Sequence, residues 1–292
     1  MKTVLEVITA TTDYFTRNKI ESPRLNIEHL LAHVLGKKNR MELYMDFERP
    51  LAEKELSPLR DLVRRRADGE PLQHLLGTVD FLGLSLLCDR RALVPRPETE
   101  QLCEMLVTEA KAATCPWKSG HVVDVGTGSG CIALALAHAL PEIRVTAVDF
   151  IEVALTLAME NAARTNLAGR VTFAKSDLLA TVEGPIDLLV ANLPYIPSSE
   201  IPGLQREVLR DPLTALDGGP DGLTLVRLLL AQAGPKMPAG ARLALELAEA
   251  QPSRLAAELA AQAPALFTDV KAVKDYSGRE RYLLATRAPA SA

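Results

Sequence analysis

Residues 121–140 read HVVDVGTGSGCIALALAHAL and decide the fold of this 292-residue chain. The apolar run HVVDV predicts a buried strand, and the alanine- and leucine-rich run from Cys131 predicts a buried helix. Between them lie Gly126, Gly128 and Gly130, which allow a tight turn and a close approach of the backbone to a ligand. Because the N–H groups that open a helix attract negative charge, we expect a nucleotide-like ligand here. A tight turn without a ligand is the alternative.

The spacing of this loop narrows the choice of ligand. It reads Asp-x-Gly-x-Gly-x-Gly, whereas dinucleotide-binding enzymes carry Gly-x-Gly-x-x-Gly. This difference favours a methionine-bearing cofactor, S-adenosylmethionine, over a cofactor with a pyrophosphate. The loop itself consists of Gly126, Thr127, Gly128, Ser129 and Gly130.

Strand-like and helix-like segments alternate from residue 121 onward, which is typical of a parallel sheet covered on both faces. Only a short turn separates the last two strands, so we expect them to form an antiparallel hairpin. The pattern predicts an α/β fold with a seven-stranded Rossmann-like sheet, the usual architecture of S-adenosylmethionine-dependent methyltransferases. The predicted strands are 121–125, 143–149, 170–174, 186–191, 241–247, 267–274 and 281–287.

Two acids follow predicted strands at the carboxyl edge of this sheet, where open α/β sheets bind ligands. Asp149 ends the strand after the glycine loop, and we expect it to accept hydrogen bonds from ribose hydroxyls. The alternative for Asp149 is a helix N-cap. Asp177 or its neighbour Leu178 is expected to border an adenine ring, with a plain turn or cap as the alternative.

The sequence Asn192-Leu193-Pro194-Tyr195 follows the fourth predicted strand at the same edge. An amide nitrogen is a poor nucleophile because its lone pair is delocalised into the carbonyl. We expect the Asn192 side-chain oxygen and the Leu193 carbonyl each to accept one N–H of a substrate amide, and Tyr195 to stack on the amide plane. Such positioning lowers the barrier by making the encounter effectively unimolecular. A proline turn with a buried tyrosine is the alternative.

The N-terminal part of the chain has a different pattern. Over residues 1–76 apolar residues recur at helical spacing, with a helix start at Ser22-Pro23 and a helix end at Gly69. Residues 77–95 then show β-type runs. We therefore predict a helical domain over 1–76 that binds a partner, a β-hairpin linker over 77–95 and a methyltransferase domain over 96–292.

Composition excludes several classes of protein. The net charge is −4 with acids and bases interspersed, so no basic surface for extended nucleic-acid contact is expected. The 4 cysteines and 5 histidines show no metal-ligand spacing, so no metal site is predicted. The N-terminus lacks a signal peptide and no apolar stretch is long enough to span a membrane, which favours a cytoplasmic protein. We expect a monomer, with residues 288–292 disordered.

Nearly the whole chain resembles the peptide-chain release factor glutamine methyltransferases, the PrmC/HemK family. The motifs that carry the likeness are PLQHLLGTVDFLGLSL, LVPRPETE, DVGTGSG, AVD, SDLL, NLPY, DPLTALDGGPDGL and DYSGRERYLLA. The resemblance implies methyl transfer from S-adenosylmethionine to the N5 nitrogen of the glutamine in the Gly-Gly-Gln motif of release factors.

The same resemblance assigns roles to residues. It implies that residues 126–130, Asp149, Leu178 and Asn192 contact the cofactor, and that residues 192–195 hold the glutamine. It also implies that Arg96 and Glu98–Glu100 help to cover the cofactor, with a surface turn and helix start as the alternative. The DPLTALDGGPDGL segment is implied to border the substrate channel, with a plain loop-to-helix entry as the alternative.

One residue departs from the family pattern. The family carries Asn-Pro-Pro-Tyr, and here Leu193 replaces the first proline, which removes a fixed φ angle and loosens the turn by about 0.4–1 kcal/mol. Since leucine keeps the carbonyl acceptor, we expect an active enzyme.

Two alternative functions stay open. One is an adenine-N6 methyltransferase for nucleic acids, because the same turn can hold the amine of a flipped base; the other is a non-catalytic, cofactor-binding partner protein, which only Leu193 supports.

Overall fold

The computed structural model describes residues 2–262 and 266–289. By its contacts the chain divides into two compact units, Met1–Thr78 with Gln205–Arg210, and Val79–Leu204 with Asp211–Ala292. This division differs from the sequence-based boundaries in two places. The hairpin predicted as a separate linker lies almost entirely in the second unit, and Gln205–Arg210, assigned above to the methyltransferase domain, lies in the first.

The first unit is helical. Its elements are α1 (Val4–Arg17), α2 (Pro23–Val34), a 3-10 helix (Arg40–Asp46), α3 (Glu53–Ala67) and α4 (Leu72–Leu76). A capping box opens α1, because the Thr3 hydroxyl accepts the Glu6 N–H at 3.3 Å and the Glu6 carboxylate accepts the Thr3 N–H at 2.8 Å. The apolar faces of the helices share one buried cluster that includes Phe15 and Leu30. The predicted helix start at Ser22-Pro23 is confirmed.

The segment Gln205–Arg210 belongs to this unit through polar contacts. Arg66, whose side chain is buried, donates from Nη2 to the Glu207 carboxylate at 2.6 Å and from Nε to Asn26 Oδ1 at 2.6 Å. Arg210 donates to the Asp68 carbonyl at 2.9 Å. Contacts over such a sequence separation leave no local signal, so the pattern of apolar residues could not predict them.

The second unit contains the hairpin and the alternating segment. The hairpin is β1 (Thr78–Phe81) with β2 (Leu84–Leu87), and α5 (Pro97–Ala110) follows. The remaining α-helices and strands are β3 (His121–Val125), α6 (Cys131–Ala139), β4 (Arg144–Asp149), α7 (Glu152–Arg164), β5 (Val171–Lys175), β6 (Leu188–Ala191), α8 (Thr224–Ala233), β7 (Arg242–Glu246), α9 (Gln251–Ala260), β8 (Phe267–Lys274) and β9 (Glu280–Arg287). All seven predicted strands of the sheet are confirmed.

The strand order indicates which edge of the sheet is expected to bind a ligand. It is β5-β4-β3-β6-β7-β9-β8, with β9 antiparallel to both of its neighbours and the first five strands parallel. The chain runs outward from β3 to β5 and then returns to β6 beside β3, so the order reverses between these two strands. Ligands of open α/β sheets bind at such a reversal, at the carboxyl ends of the strands.

Side chains of β3 pack on both faces of the sheet. Val122 lies in a cluster with residues of α5 and α6 such as Leu102 and Leu134, whereas Val123 lies in a second cluster with residues of α8 and α9. This two-sided burial explains why HVVDV is apolar at nearly every position instead of alternating with polar residues.

Three further observations bear on the sequence predictions. No helix in residues 2–262 and 266–289 is long and apolar enough to cross a membrane. The four cysteines are free thiols and all are buried. The expected disorder is wrong for Ala288, which is buried and donates its N–H to the Leu266 carbonyl at 3.0 Å; residues 290–292 lie outside the described part of the chain.

Candidate active site

The glycine loop, residues 126–130, joins β3 to α6. Gly126, Gly128 and Gly130 have φ angles of +72°, +55° and +83°, which lie in the left-handed region that favours glycine. At Gly126 an added Cβ would also lie 2.8 Å from Cδ2 of Leu193. The backbone conformation therefore favours glycine at all three positions, and at Gly126 an added side chain would also displace the end of the Leu193 side chain.

Asp149, the last residue of β4, fixes this loop from the neighbouring strand. Its Oδ2 accepts the Gly128 N–H at 2.9 Å and its Oδ1 accepts the Ile151 N–H at 2.8 Å. Burial raises the pKa of Asp149 above its usual value. Ile151, not Asp149, is the N-cap of α7, so the N-cap interpretation of Asp149 is wrong. A carboxylate has about four lone-pair sites, so both oxygens keep capacity for hydroxyl donors from a ligand.

Asp124 supports the loop from within β3. It is fully buried, and its Oδ2 accepts the Thr127 hydroxyl at 2.6 Å and the Ala133 N–H at 3.2 Å. Burial raises the pKa of Asp124 to about 7. The Thr127 hydroxyl is thus turned toward Asp124. Sequence reasoning counted Asp124 only as the first letter of the glycine motif and missed this contact.

The turn after β5 brings Asp177 and Leu178 to the same edge. Leu178 is buried with φ of +51°, and Asp177 is exposed. The Asp177 carbonyl accepts the Ala180 N–H at 3.0 Å, so the segment forms the plain turn considered above. Both residues nevertheless line the cavity at this edge, where they can border a ligand.

Asn192 follows β6 and lines the cavity beside the glycine loop. Its Nδ2 donates to the Thr99 hydroxyl at 3.0 Å, and that hydroxyl donates to Oε2 of Glu246 at 2.7 Å. Within the described ranges no residue donates a hydrogen bond to Asn192 Oδ1. The Nδ2 group of Asn192 is therefore already hydrogen-bonded within the protein, whereas its Oδ1 can accept a hydrogen bond from a ligand in the cavity.

Glu246 ends β7 next to Asn192 and is 1% exposed. Burial raises the pKa of Glu246 to about 7, and the Thr99 hydroxyl and Arg281 oppose this rise. The sequence predictions did not include Glu246, and they included Thr99 only as part of the segment Glu98–Glu100, with no contact to Asn192. The sequence did contain one signal, since Glu246 is the single acid in the otherwise apolar strand LALEL. A carboxylate in a buried strand needs a hydrogen-bonding partner, which indicates a polar contact at this position.

The rest of the Asn192–Tyr195 turn has two different environments. Leu193 and Pro194 both line the cavity, and the buried Leu193 side chain also packs in the core cluster below the sheet edge. Tyr195 does not belong to the cavity lining; it is half-buried, and its carbonyl accepts Nε2 of Gln251 at 2.9 Å. Burial raises the pKa of Tyr195 to about 12. The stacking role expected for Tyr195 stays a prediction.

Two loop segments complete the walls of the cavity, residues 91–96 and 212–219. Arg96 Nη2 donates to Oδ2 of the buried Asp211 at 2.8 Å, and the Val94 N–H donates to Oδ1 at 3.4 Å. Both segments thus line the cavity, and the roles that the resemblance implies for them stay predictions.

The cavity measures about 700 Å³, within the range of small-molecule sites. Ten of the predicted site residues line it: Gly126, Thr127, Gly128, Ser129, Asp149, Asp177, Leu178, Asn192, Leu193 and Pro194. Tyr195 and Gly130 do not. Gly130 is the N-cap of α6, where an added Cβ would lie 3.1 Å from Cβ of Ala158, so this glycine serves helix packing.

Comparisons with known proteins agree over both units. Residues 6–77 match the family described as PrmC N-terminal domain, and residues 98–221 match the family described as methyltransferase small domain. The chain is 40% identical to the release factor glutamine methyltransferase of Chlorobaculum tepidum over 96% of each protein. It is also 40% identical to the protein of that name from Deinococcus radiodurans, over 97% of this chain and 98% of the relative.

A solved structure supports the fold. The human Mettl16 catalytic domain, solved with an RNA hairpin from the MAT2A 3′UTR, superposes with a TM-score of 0.56 at 18% identity, covering 78% of this chain and 82% of that one. At this identity the likeness concerns the methyltransferase fold alone.

Proposed function

Because the chain belongs to the family of release factor glutamine methyltransferases, we propose that it transfers a methyl group from S-adenosylmethionine to the amide nitrogen of a release factor glutamine. The target is the glutamine of the Gly-Gly-Gln motif, and the product carries the methyl group on N5. The proposal includes no direct contact with nucleic acid and a monomeric enzyme.

The residues around the cavity fit the proposed cofactor. Gly126 and Gly128 bring the backbone to the cavity without side chains, and the Asp149 carboxylate offers acceptor oxygens for two hydroxyls of a ribose. Asp177 and Leu178 border the position proposed for the adenine. When bound, S-adenosylmethionine supplies a methyl group on a positively charged sulfur.

Asn192 and Leu193 are the residues proposed to hold the substrate amide. The Asn192 Oδ1 and the Leu193 carbonyl would each accept one N–H, which fixes the amide plane and directs the nitrogen lone pair. The nitrogen forms the new N–C bond as the S–C bond breaks, and it then loses a proton to water. No strong base is required before transfer, because the nitrogen becomes acidic only as the bond to carbon forms.

One observation carries this proposal. Asn192 lies at the strand-order reversal beside the glycine loop, and its Nδ2 is held by Thr99, so the acceptor Oδ1 remains for a substrate N–H. A group with two N–H donors, such as a glutamine side chain, is the natural complement of two oxygen acceptors.

The test uses the full chain, S-adenosylmethionine labelled in the methyl group, and three acceptors: a release factor, its Gly-Gly-Gln variant with Gln→Ala, and bulk nucleic acid. We expect label in the release factor and none in the variant. Label in nucleic acid alone would support the adenine-N6 alternative. Retained cofactor binding with no label in any acceptor would support the non-catalytic alternative.

A further inference from the structure

Three segments far apart in sequence meet at the Asn192 side chain. Ala191 pairs with Leu245 in the parallel ladder of β6 and β7, so Asn192 and Glu246 follow at the same level of adjacent strands. Thr99, in the first turn of α5, is 2% exposed; its hydroxyl accepts from Asn192 and donates to Glu246. The Asn192 side chain also interacts directly with the Glu246 carboxylate and lowers the pKa of Glu246, so both partners engage the donor side of the amide.

The chemistry of this chain gives it a direction. A carboxylate only accepts hydrogen bonds, so the Thr99 hydroxyl must donate to Glu246 and its oxygen is left to accept from Asn192. Rotating the Asn192 amide by 180° would place its carbonyl oxygen against this acceptor and its NH₂ group toward the cavity. The first orientation receives substrate N–H groups, and the second repels them.

We infer that Thr99 and Glu246 are positioning residues that lock the Asn192 amide with its NH₂ group turned into the protein and its Oδ1 toward the substrate. This inference rests on the proposed function and deepens it, because it states why the amide faces its substrate in one orientation. Neither residue needs to touch the substrate.

The lock depends on the charge of Glu246. A protonated Glu246 becomes a donor, so the Thr99 hydroxyl can reverse and the preference for one Asn192 orientation is lost. The ionisable groups around Glu246 are Arg281 and Tyr282 of β9, Glu98 and Cys103 of α5, Cys131 of α6, and Tyr195. Burial raises the pKa of both thiols, so they stay neutral near pH 7. With the pKa of Glu246 raised to about 7, the ionised form is lost as the pH falls through this value.

A matched pair at Thr99 separates the hydroxyl from the shape. Thr99→Ser keeps the hydroxyl, and Thr99→Val keeps the volume without it. We expect kcat for methylation of a Gly-Gly-Gln peptide to fall about tenfold in Thr99→Val and to stay within about twofold in Thr99→Ser, the size of one lost hydrogen bond. Equal rates in the two variants would overturn the role of the hydroxyl.

A second readout does not depend on activity. In protein labelled with ¹⁵N-asparagine, the side-chain NH₂ signal of Asn192, identified by its loss in Asn192→Asp, should exchange slowly with solvent. In Thr99→Val this exchange should accelerate about tenfold or more, since the hydrogen bond to Thr99 is lost. Unchanged exchange would show that Thr99 does not hold the amide.

Glu246→Gln tests the charge. In the original chain kcat should fall below pH 7, and in Glu246→Gln that inflection should disappear while kcat at pH 8 falls about tenfold. Asp187→Asn is the matched control, because Asp187 accepts the His121 N–H at 2.7 Å at the opposite end of the sheet. We expect it to lower thermal stability and to leave the pH profile of kcat unchanged.

The outcomes separate this inference from the proposed function. If the original chain does not methylate the glutamine peptide, the proposed function fails, and the amide exchange experiment still tests the lock. If it does methylate the peptide and Thr99→Val and Glu246→Gln behave like the original chain, the inference alone fails.

Discussion

The two halves of the cavity are built in different ways. On the side proposed to bind the cofactor, the backbone conformation holds the glycine loop, and hydrogen bonds from the N–H groups of Gly128 and Ile151 hold the Asp149 carboxylate. On the amide side, Asn192 owes its orientation to two side chains, Thr99 and Glu246, from α5 and β7.

This difference assigns separate tasks to the two halves. A ligand site formed mainly by backbone groups is insensitive to most side-chain substitutions. Such a site suits a cofactor that is the same in every turnover. A side-chain lock responds to single substitutions and to pH. We therefore expect changes on the cofactor side to alter cofactor affinity and changes on the amide side to alter turnover.

Asn192→Ala should have the largest effect. It removes the acceptor that orients the substrate amide, so kcat for a Gly-Gly-Gln peptide should fall by about 10²-fold or more, as for loss of one preorganised group at a reacting centre. Steady-state kinetics measures kcat, and calorimetry measures the Kd for S-adenosylmethionine. A rise in this Kd with kcat unchanged would contradict the separation of the two sides of the cavity.

Asp149→Asn should affect the other half. It converts a charged acceptor into an amide that also carries donors, so the Kd for S-adenosylmethionine should rise about 10- to 100-fold. Glu142→Gln is the matched control because Glu142 is exposed, precedes β4 at its opposite end and does not belong to the cavity lining, and the Kd should change by less than about threefold. Equal effects would show that Asp149 has no special role.

Gly126→Ala should have an intermediate effect on stability. A Cβ in the left-handed region costs about 1–2 kcal/mol, and here it also meets Leu193 at 2.8 Å. We expect the free energy of unfolding to fall by about that amount and cofactor affinity to fall with it. Gly169→Ala, with no atom within 4 Å of the added Cβ, is the control. Similar thermal melts for the two variants would contradict the requirement for glycine.

Leu193→Pro should have the smallest effect. It restores a fixed φ angle and keeps the carbonyl acceptor, while it removes a buried side chain that packs beside Gly126. Because proline contributes only about 0.4–1 kcal/mol through the unfolded state, the transfer rate should stay within about threefold. A large drop in the rate would mean that the turn depends on leucine in a way this geometry does not explain.

The sequence predicted the positions of the glycine loop and Asp149 at the cavity better than the contacts of Asn192, because the former depend on local features. The glycine loop, the strand ends and Asp149 are local features, because strand, turn and helix follow one another within residues 121–149. The alternation of short apolar strands with helices likewise predicted all seven strands of the sheet.

The Thr99–Glu246 contact joins residues 147 positions apart, and local patterns contain no record of it. The Arg66–Glu207 ion pair, which places Gln205–Arg210 in the helical unit, escaped prediction for the same reason. From its position in the turn, Tyr195 was predicted to lie at the cavity. In the structure the Tyr195 carbonyl accepts a hydrogen bond from Gln251, and the Tyr195 ring is not part of the cavity lining.

The most direct test is a structure of the enzyme with S-adenosylhomocysteine and a Gly-Gly-Gln peptide. We expect the glutamine nitrogen to lie about 2.9 Å from both Asn192 Oδ1 and the Leu193 carbonyl oxygen, with the Asn192 NH₂ group still bonded to Thr99. An Asn192 side chain turned away from the glutamine, or a glutamine bound elsewhere, would contradict this account.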